Sequence, residues 1–122
     1  MNGALPAHPL LAALLAAALL EEIVFRGGVQ EALLRLADAH GALRGRARWP
    51  AAANLSTALL FALAHGIVRS WALAAAVLPA ALALGWLYQR TRRLWPCIAA
   101  HAAMNALWLL ALPWLGALPA RL

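Results

Sequence analysis

The chain has 122 residues, of which 66% are hydrophobic and only 11% charged, far from the roughly 45–50% apolar content of soluble domains. It reads as a single membrane-embedded domain covering residues 1–122. All ten basic residues are arginine and only four acids oppose them, for a net charge of +6. The arginines gather between apolar runs instead of along one stripe, which suits anionic headgroups and membrane orientation and argues against nucleic acid as a partner. A single cysteine, Cys97, excludes an intramolecular disulfide and a thiolate metal cluster.

In chain order, the first apolar run extends from Leu5 to Gly27, with an amphipathic continuation through Val29, Leu33, Leu34 and Leu36 to near Ala37. No basic leader precedes it, and it leads into Glu21-Glu22 in place of a cleavage site, so a retained span is expected and not a signal peptide. An arginine-rich loop runs from His40 to Pro50, with Gly41 and Gly45 as breakers. A second span is expected over Ala51–Val68 and a third over Trp71–Tyr88, closed by Gln89-Arg90-Thr91-Arg92-Arg93. The fourth covers Leu94–Leu112, with Pro96 in its first turn, where a missing N–H is harmless.

Each run is close to the roughly 20 residues a transmembrane helix needs. Strands are not expected, because the runs do not alternate and Ala and Leu outnumber Val, Ile and Thr. The expected fold is all-α, a polytopic membrane helical bundle of about four transmembrane helices. The loops after spans 1 and 3 carry Arg35, Arg44, Arg46, Arg48, Arg90, Arg92 and Arg93, against Arg69 and Arg121 on the other side. That asymmetry puts those two loops in the cytoplasm and both termini outside. Trp49, Trp71, Trp95 and Trp114 fall at span ends, as interfacial aromatics do.

Three polar islands interrupt the apolar runs. A charged residue at a helix centre costs roughly 2.5–3.5 kcal/mol even on insertion-derived scales, so ionisable groups there need a reason. Glu22 and Arg26 are i,i+4 neighbours with the acid first, the favourable order for an ion pair. Glu21, turned about 100° away, is left free to act as a general base on water; alternatively both acids only balance Arg26. His65 is the one ionisable group of span 2, either a packing residue or part of the chemistry. His101 and Asn105 share one face of span 4 and are either interhelical glue or donors to a developing oxyanion.

Glu21-Glu22-Ile-Val-Phe-Arg26-Gly27 resembles an EExxxR(G) motif, Phe61-Ala-Leu-Ala-His65 an FxxxH motif and His101-Ala-Ala-Met-Asn105 an HxxxN motif. Leu84-Gly85-Trp86-Leu87-Tyr88-Gln89-Arg90-Thr91 resembles LGxLYxxT. The first three, in this order on three spans, and the fourth ahead of His101 together resemble the CPBP family, which takes in CAAX prenyl endopeptidases and Abi or bacteriocin-processing proteins. The resemblance covers about Leu19 to Trp108 and implies intramembrane proteolysis of a membrane-associated protein or peptide. It implies that Glu21 activates water with help from His65, that His101 and Asn105 form the oxyanion hole, and that Glu22 and Arg26 support them.

The same resemblance carries an older description as a metalloprotease, with Glu21, His65 and His101 as ligands if zinc is present. An HExxH helix is lacking, and the metal-free glutamate mechanism with no cofactor is expected. The first motif begins at residue 21, so the four spans answer to the family's catalytic core alone. The Ala-rich, Arg-only composition suggests a bacterial inner membrane. It turns the substrate expectation from a prenylated protein to a C-terminal sorting signal or a bacteriocin precursor. A non-enzymatic self-immunity or assembly factor is the main alternative, and a small proton-coupled transporter a further one.

Overall fold

A computed structural model describes residues 7–39 and 48–111. Helix α1 (Ala7–Glu22) passes without a break into a π-helical segment (Ile23–Gln30) and then into α2 (Glu31–Ala39). Helices α3 (Arg48–Val68), α4 (Trp71–Thr91) and α5 (Leu94–Ala111) follow, and the described residues contain no strand. Three helices are long and apolar enough to cross a membrane: Trp49–Val68, Trp71–Thr91 and Leu94–Ala111. They reproduce the expected second, third and fourth spans to within a few residues. The expected first span is helical too, but the π-helical segment interrupts it and leaves 16 residues of uninterrupted α-helix. Most of the arginine-rich loop, and the expected interfacial Trp114, lie outside the described residues.

The bundle is packed with small residues inside and large ones outside. Ala18, Ala53, Ala58, Ala62, Ala74 and Ala81 are buried, while Leu15, Leu20, Leu59, Leu63, Ile67, Leu107 and Leu110 are exposed. Lipid tails are as apolar as leucine, so burying leucine gains nothing there; small residues instead let backbones approach closely. The largest fully buried side chains are Arg26, Gln30, Glu22, Thr57 and Cys97.

Helix α3 packs on α4, and α5 packs on both α1 and α4. The α3–α4 turn is short: Ser70 caps α4 by accepting from the Leu73 N–H at 3.1 Å. A Cβ on Gly66 would lie 2.4 Å from the Trp71 ring, so glycine there lets the indole lie against α3.

Polar side chains clip the π-helical segment and α3 onto α4. Arg26 Nη2 donates to the Ala81 carbonyl at 2.7 Å and Gln30 Nε2 to the Gly85 carbonyl at 3.0 Å, so an i,i+4 pair meets an i,i+4 pair of carbonyls. Asn54 Nδ2 reaches the Leu82 carbonyl from α3 at 3.0 Å. Gly85 makes this possible, because a Cβ there would sit 1.8 Å from Asn54 Oδ1.

The arginine-rich end is tied separately. Glu31 accepts from Arg35 Nε at 2.8 Å, Arg92 Nη2 at 3.0 Å and Tyr88 Oη at 2.5 Å. Burial pushes the Glu31 carboxyl up, but the hydrogen bonds from Arg35 and Tyr88 and the charge of Arg92 outweigh it and hold it below its ordinary value. Arg92 takes the left-handed conformation (φ 52°) at the end of α4, and its N–H returns to the Tyr88 carbonyl at 2.7 Å.

Candidate active site

One cavity of about 590 Å³ opens between α1, the π-helical segment, α3, α4 and α5, and Glu21, His65, His101 and Asn105 all line it. Four residues from three separate sequence islands thus face one space. Much of the remaining wall is apolar, including Phe25, Val68, Leu73, Val77, Met104 and Trp108.

Glu21 and Glu22 divide as their 100° separation on a helix requires. The Glu22 side chain is fully buried, whereas Glu21 is 30% exposed and borders the cavity. Glu22 Oε1 accepts from Arg26 Nη1 at 3.0 Å, the expected ion pair. The same oxygen lies 2.7 Å from His101 Nδ1, a contact between residues 79 apart in sequence. A carboxylate accepts, so Nδ1 carries a proton and the ring is fixed by a buried charge. His101 Nε2 then faces Glu21 Oε2 at 3.5 Å.

His65 Nδ1 lies 2.9 Å from the Phe61 carbonyl one turn back. A carbonyl only accepts, so Nδ1 donates, and in the neutral ring Nε2 is left with a lone pair. Among the described residues no hydrogen bond joins His65 to Glu21; the two meet across the cavity. Asn105 Nδ2 donates to the Leu14 carbonyl at 3.2 Å, which uses one of its two N–H groups.

Phe61 was part of a motif in sequence but had no assigned task. Its ring centroid lies 4.4 Å from that of His65, 5.9 Å from that of His101 and 5.0 Å from that of Phe25, with Arg26 Cζ at 5.3 Å. It is the apolar spacer that sets the two imidazoles relative to Arg26. Gln30 and Asn54, which were not singled out in sequence, and Gly85, quoted there only as part of a motif, support the site from behind. An amide within an apolar span was the available signal for Asn54.

Among the described residues no three His, Cys, Asp or Glu side chains are grouped to hold a metal ion. Glu21, His65 and His101, the set expected for zinc, do not form such a group. The two imidazoles spend Nδ1 on Phe61 and Glu22.

No curated protein and no solved structure is similar enough to this chain to count as a match. The family of type II CAAX prenyl endopeptidases, Rce1-like, matches residues 3–107. A peptidase family, three membrane-length apolar helices and an interior of ionisable residues agree on an integral membrane protein. The chain belongs to the Rce1-like family of type II CAAX prenyl endopeptidases.

Proposed function

We propose that this protein is an intramembrane endopeptidase that hydrolyses a peptide bond of a membrane-associated protein or peptide. The observation that supports it most is the opening of Glu21, His65, His101 and Asn105 onto one cavity inside a membrane bundle. Glu21 is the general base: it takes a proton from a water whose other contact is the His65 Nε2 lone pair, while the water oxygen attacks the carbonyl carbon. His101, with a proton on Nε2 as well as Nδ1, and Asn105, through its second N–H, donate to the tetrahedral oxyanion. Collapse breaks the C–N bond, and the proton held by Glu21 passes to the leaving amine. Glu22 and Arg26 act through His101, whose ring plane they fix. No step needs a resident metal, so the activity persists in a strong chelator.

The setting is a bacterial inner membrane with the α2–α3 and α4–α5 connections in the cytoplasm, as the arginine distribution favours. A C-terminal sorting signal or a bacteriocin precursor fits the mostly apolar cavity. The test is Glu21→Gln, which keeps size and hydrogen bonding but removes the base. Cleavage of a co-expressed membrane reporter should fall by at least roughly 100-fold with protein abundance unchanged. Biological activity that survives Glu21→Gln combined with His65→Ala would overturn the enzymatic reading in favour of a self-immunity or assembly factor.

A further inference from the structure

Arg69 is exposed, follows the last residue of α3 and lines the same cavity as Glu21 and His65. The chain contains only four acids, Glu21, Glu22, Glu31 and Asp38. Glu22 is engaged by Arg26 and His101, Glu31 by Arg35 and Arg92, and Glu21 faces His101. None of the four forms an ion pair with Arg69. The cavity is therefore an apolar trough with a carboxylate at one place on its wall and, at another, a guanidinium with no acidic partner among the described residues.

Position adds to this. Arg69 donates its backbone N–H to the His65 carbonyl at 2.9 Å, so the two residues stand about one helical turn apart, about 6 Å along the axis. A guanidinium at the end of a membrane-length helix lies where an anion is less costly than at the bilayer centre. Its planar fork also matches a carboxylate in two parallel hydrogen bonds.

We propose that Arg69 is a specificity-determining residue that binds a carboxylate carried by an otherwise apolar ligand lying in this cavity. Under the peptidase reading, on which the identity of the ligand as substrate rests, that carboxylate belongs to the substrate a short way from the bond presented to Glu21. Val68, Leu73, Val77 and Trp108 take the apolar part, and Arg69 sets which end of the substrate lies at the α3–α4 turn.

Binding can be read without cleavage. The intact protein in a neutral maltoside detergent is titrated calorimetrically with N-decanoyl-leucine and with its amide, which differ only in the carboxylate. The acid should bind about tenfold or more tightly than the amide, the scale of a charge-assisted hydrogen-bonded pair. Arg69→Gln should bring that ratio to about one while amide binding stays unchanged, and Arg69→Lys should keep part of it. N-decanoyl-aspartic acid α-amide separates a side-chain carboxylate from a chain-terminal one, and either preference supports the assignment. A wild-type ratio near one, or a preference that survives in Arg69→Gln, overturns it. So does loss of the preference on adding phosphatidylglycerol, which would make Arg69 a headgroup site. Selective binding without reporter cleavage would sink the peptidase reading and leave Arg69 standing; cleavage without selective binding would do the reverse.

Discussion

One oxygen of Glu22 serves two partners: Oε1 accepts from Arg26 Nη1 at 3.0 Å and meets His101 Nδ1 at 2.7 Å. Arg26 in turn reaches the Ala81 carbonyl on α4. A fully buried carboxylate therefore joins the first helix to α5, and through Arg26 to α4, while it holds the proton on His101 Nδ1. Neutralising Glu22 leaves Arg26 without its paired carboxylate, and neutralising Arg26 leaves Glu22 with His101 alone.

Glu22→Gln and Arg26→Met should each destabilise the protein by about 3–5 kcal/mol, because each removes one partner of a buried ion pair. The double variant should be less destabilised than the sum of the two, a coupling visible as a non-additive shift in thermal unfolding midpoints in detergent. Additive losses would mean that the two side chains act independently.

Asn105→Ala should slow turnover by about 2.7–4 kcal/mol of transition-state stabilisation and leave KM nearly unchanged, as expected for a donor that matters only once the oxyanion forms. Loss of its bond to Leu14 should cost only about 1 kcal/mol of stability. A raised KM with kcat intact would assign Asn105 to substrate binding instead. The same kinetic assay after chelation should give the wild-type rate, and activity restored by added zinc would overturn the metal-free mechanism.

Gly85→Ala places a methyl where Asn54 Oδ1 now lies 1.8 Å away and Gln30 Oε1 3.2 Å away. Asn54 would have to leave the Leu82 carbonyl, whereas Gln30 need give by only a few tenths of an ångström. The expected cost is about 1–3 kcal/mol, read as a lowered unfolding midpoint. Combining it with Asn54→Ala should recover part of the loss, since the closer clash is removed.

Glu31 gives the arginine-rich end a defined pH response. Its folded-state pKa is held below the ordinary value, so its contribution is present above the unfolded-state pKa and is lost as pH falls through the folded one. Thermal stability measured from about pH 7 down to about pH 3 should drop over that acid range. Glu31→Gln should lower stability at neutral pH and flatten the drop, and an unchanged acid slope in that variant would remove Glu31 as its source.

How much of this was readable in advance depended on the distance between partners. Three spans show in sequence because lipid forces long apolar helices, and Glu22–Arg26 shows because both belong to one helix face. Glu21, His65, His101 and Asn105 stood out because ionisable and amide groups are conspicuous in runs of Ala and Leu. The Glu22–His101 contact was invisible, since no periodicity links residues 79 positions apart. The role of Phe61 was hidden for the same reason: a phenylalanine in an apolar run carries no mark of what its ring touches. The π-helical turns were missed as well, because apolar spacing there fits an ordinary helix and Gly27-Gly28 is only a weak sign of irregularity.

That irregular stretch sets the angular phase of everything on either side of it. An α-helix rotates about 100° per residue, and wider π turns take up residues that a regular helix would place elsewhere around the axis. A residue added or removed here without a matching change in the number of wide turns would shift that phase. If the Gln30 end stayed clipped to α4, the part of α1 that carries Glu21 and Glu22 would swing by about a quarter turn. Two acids now turned toward His101 would then be directed at α3 or at lipid. Chain length across these eight residues is thus as much a part of the site as the side chains that line it.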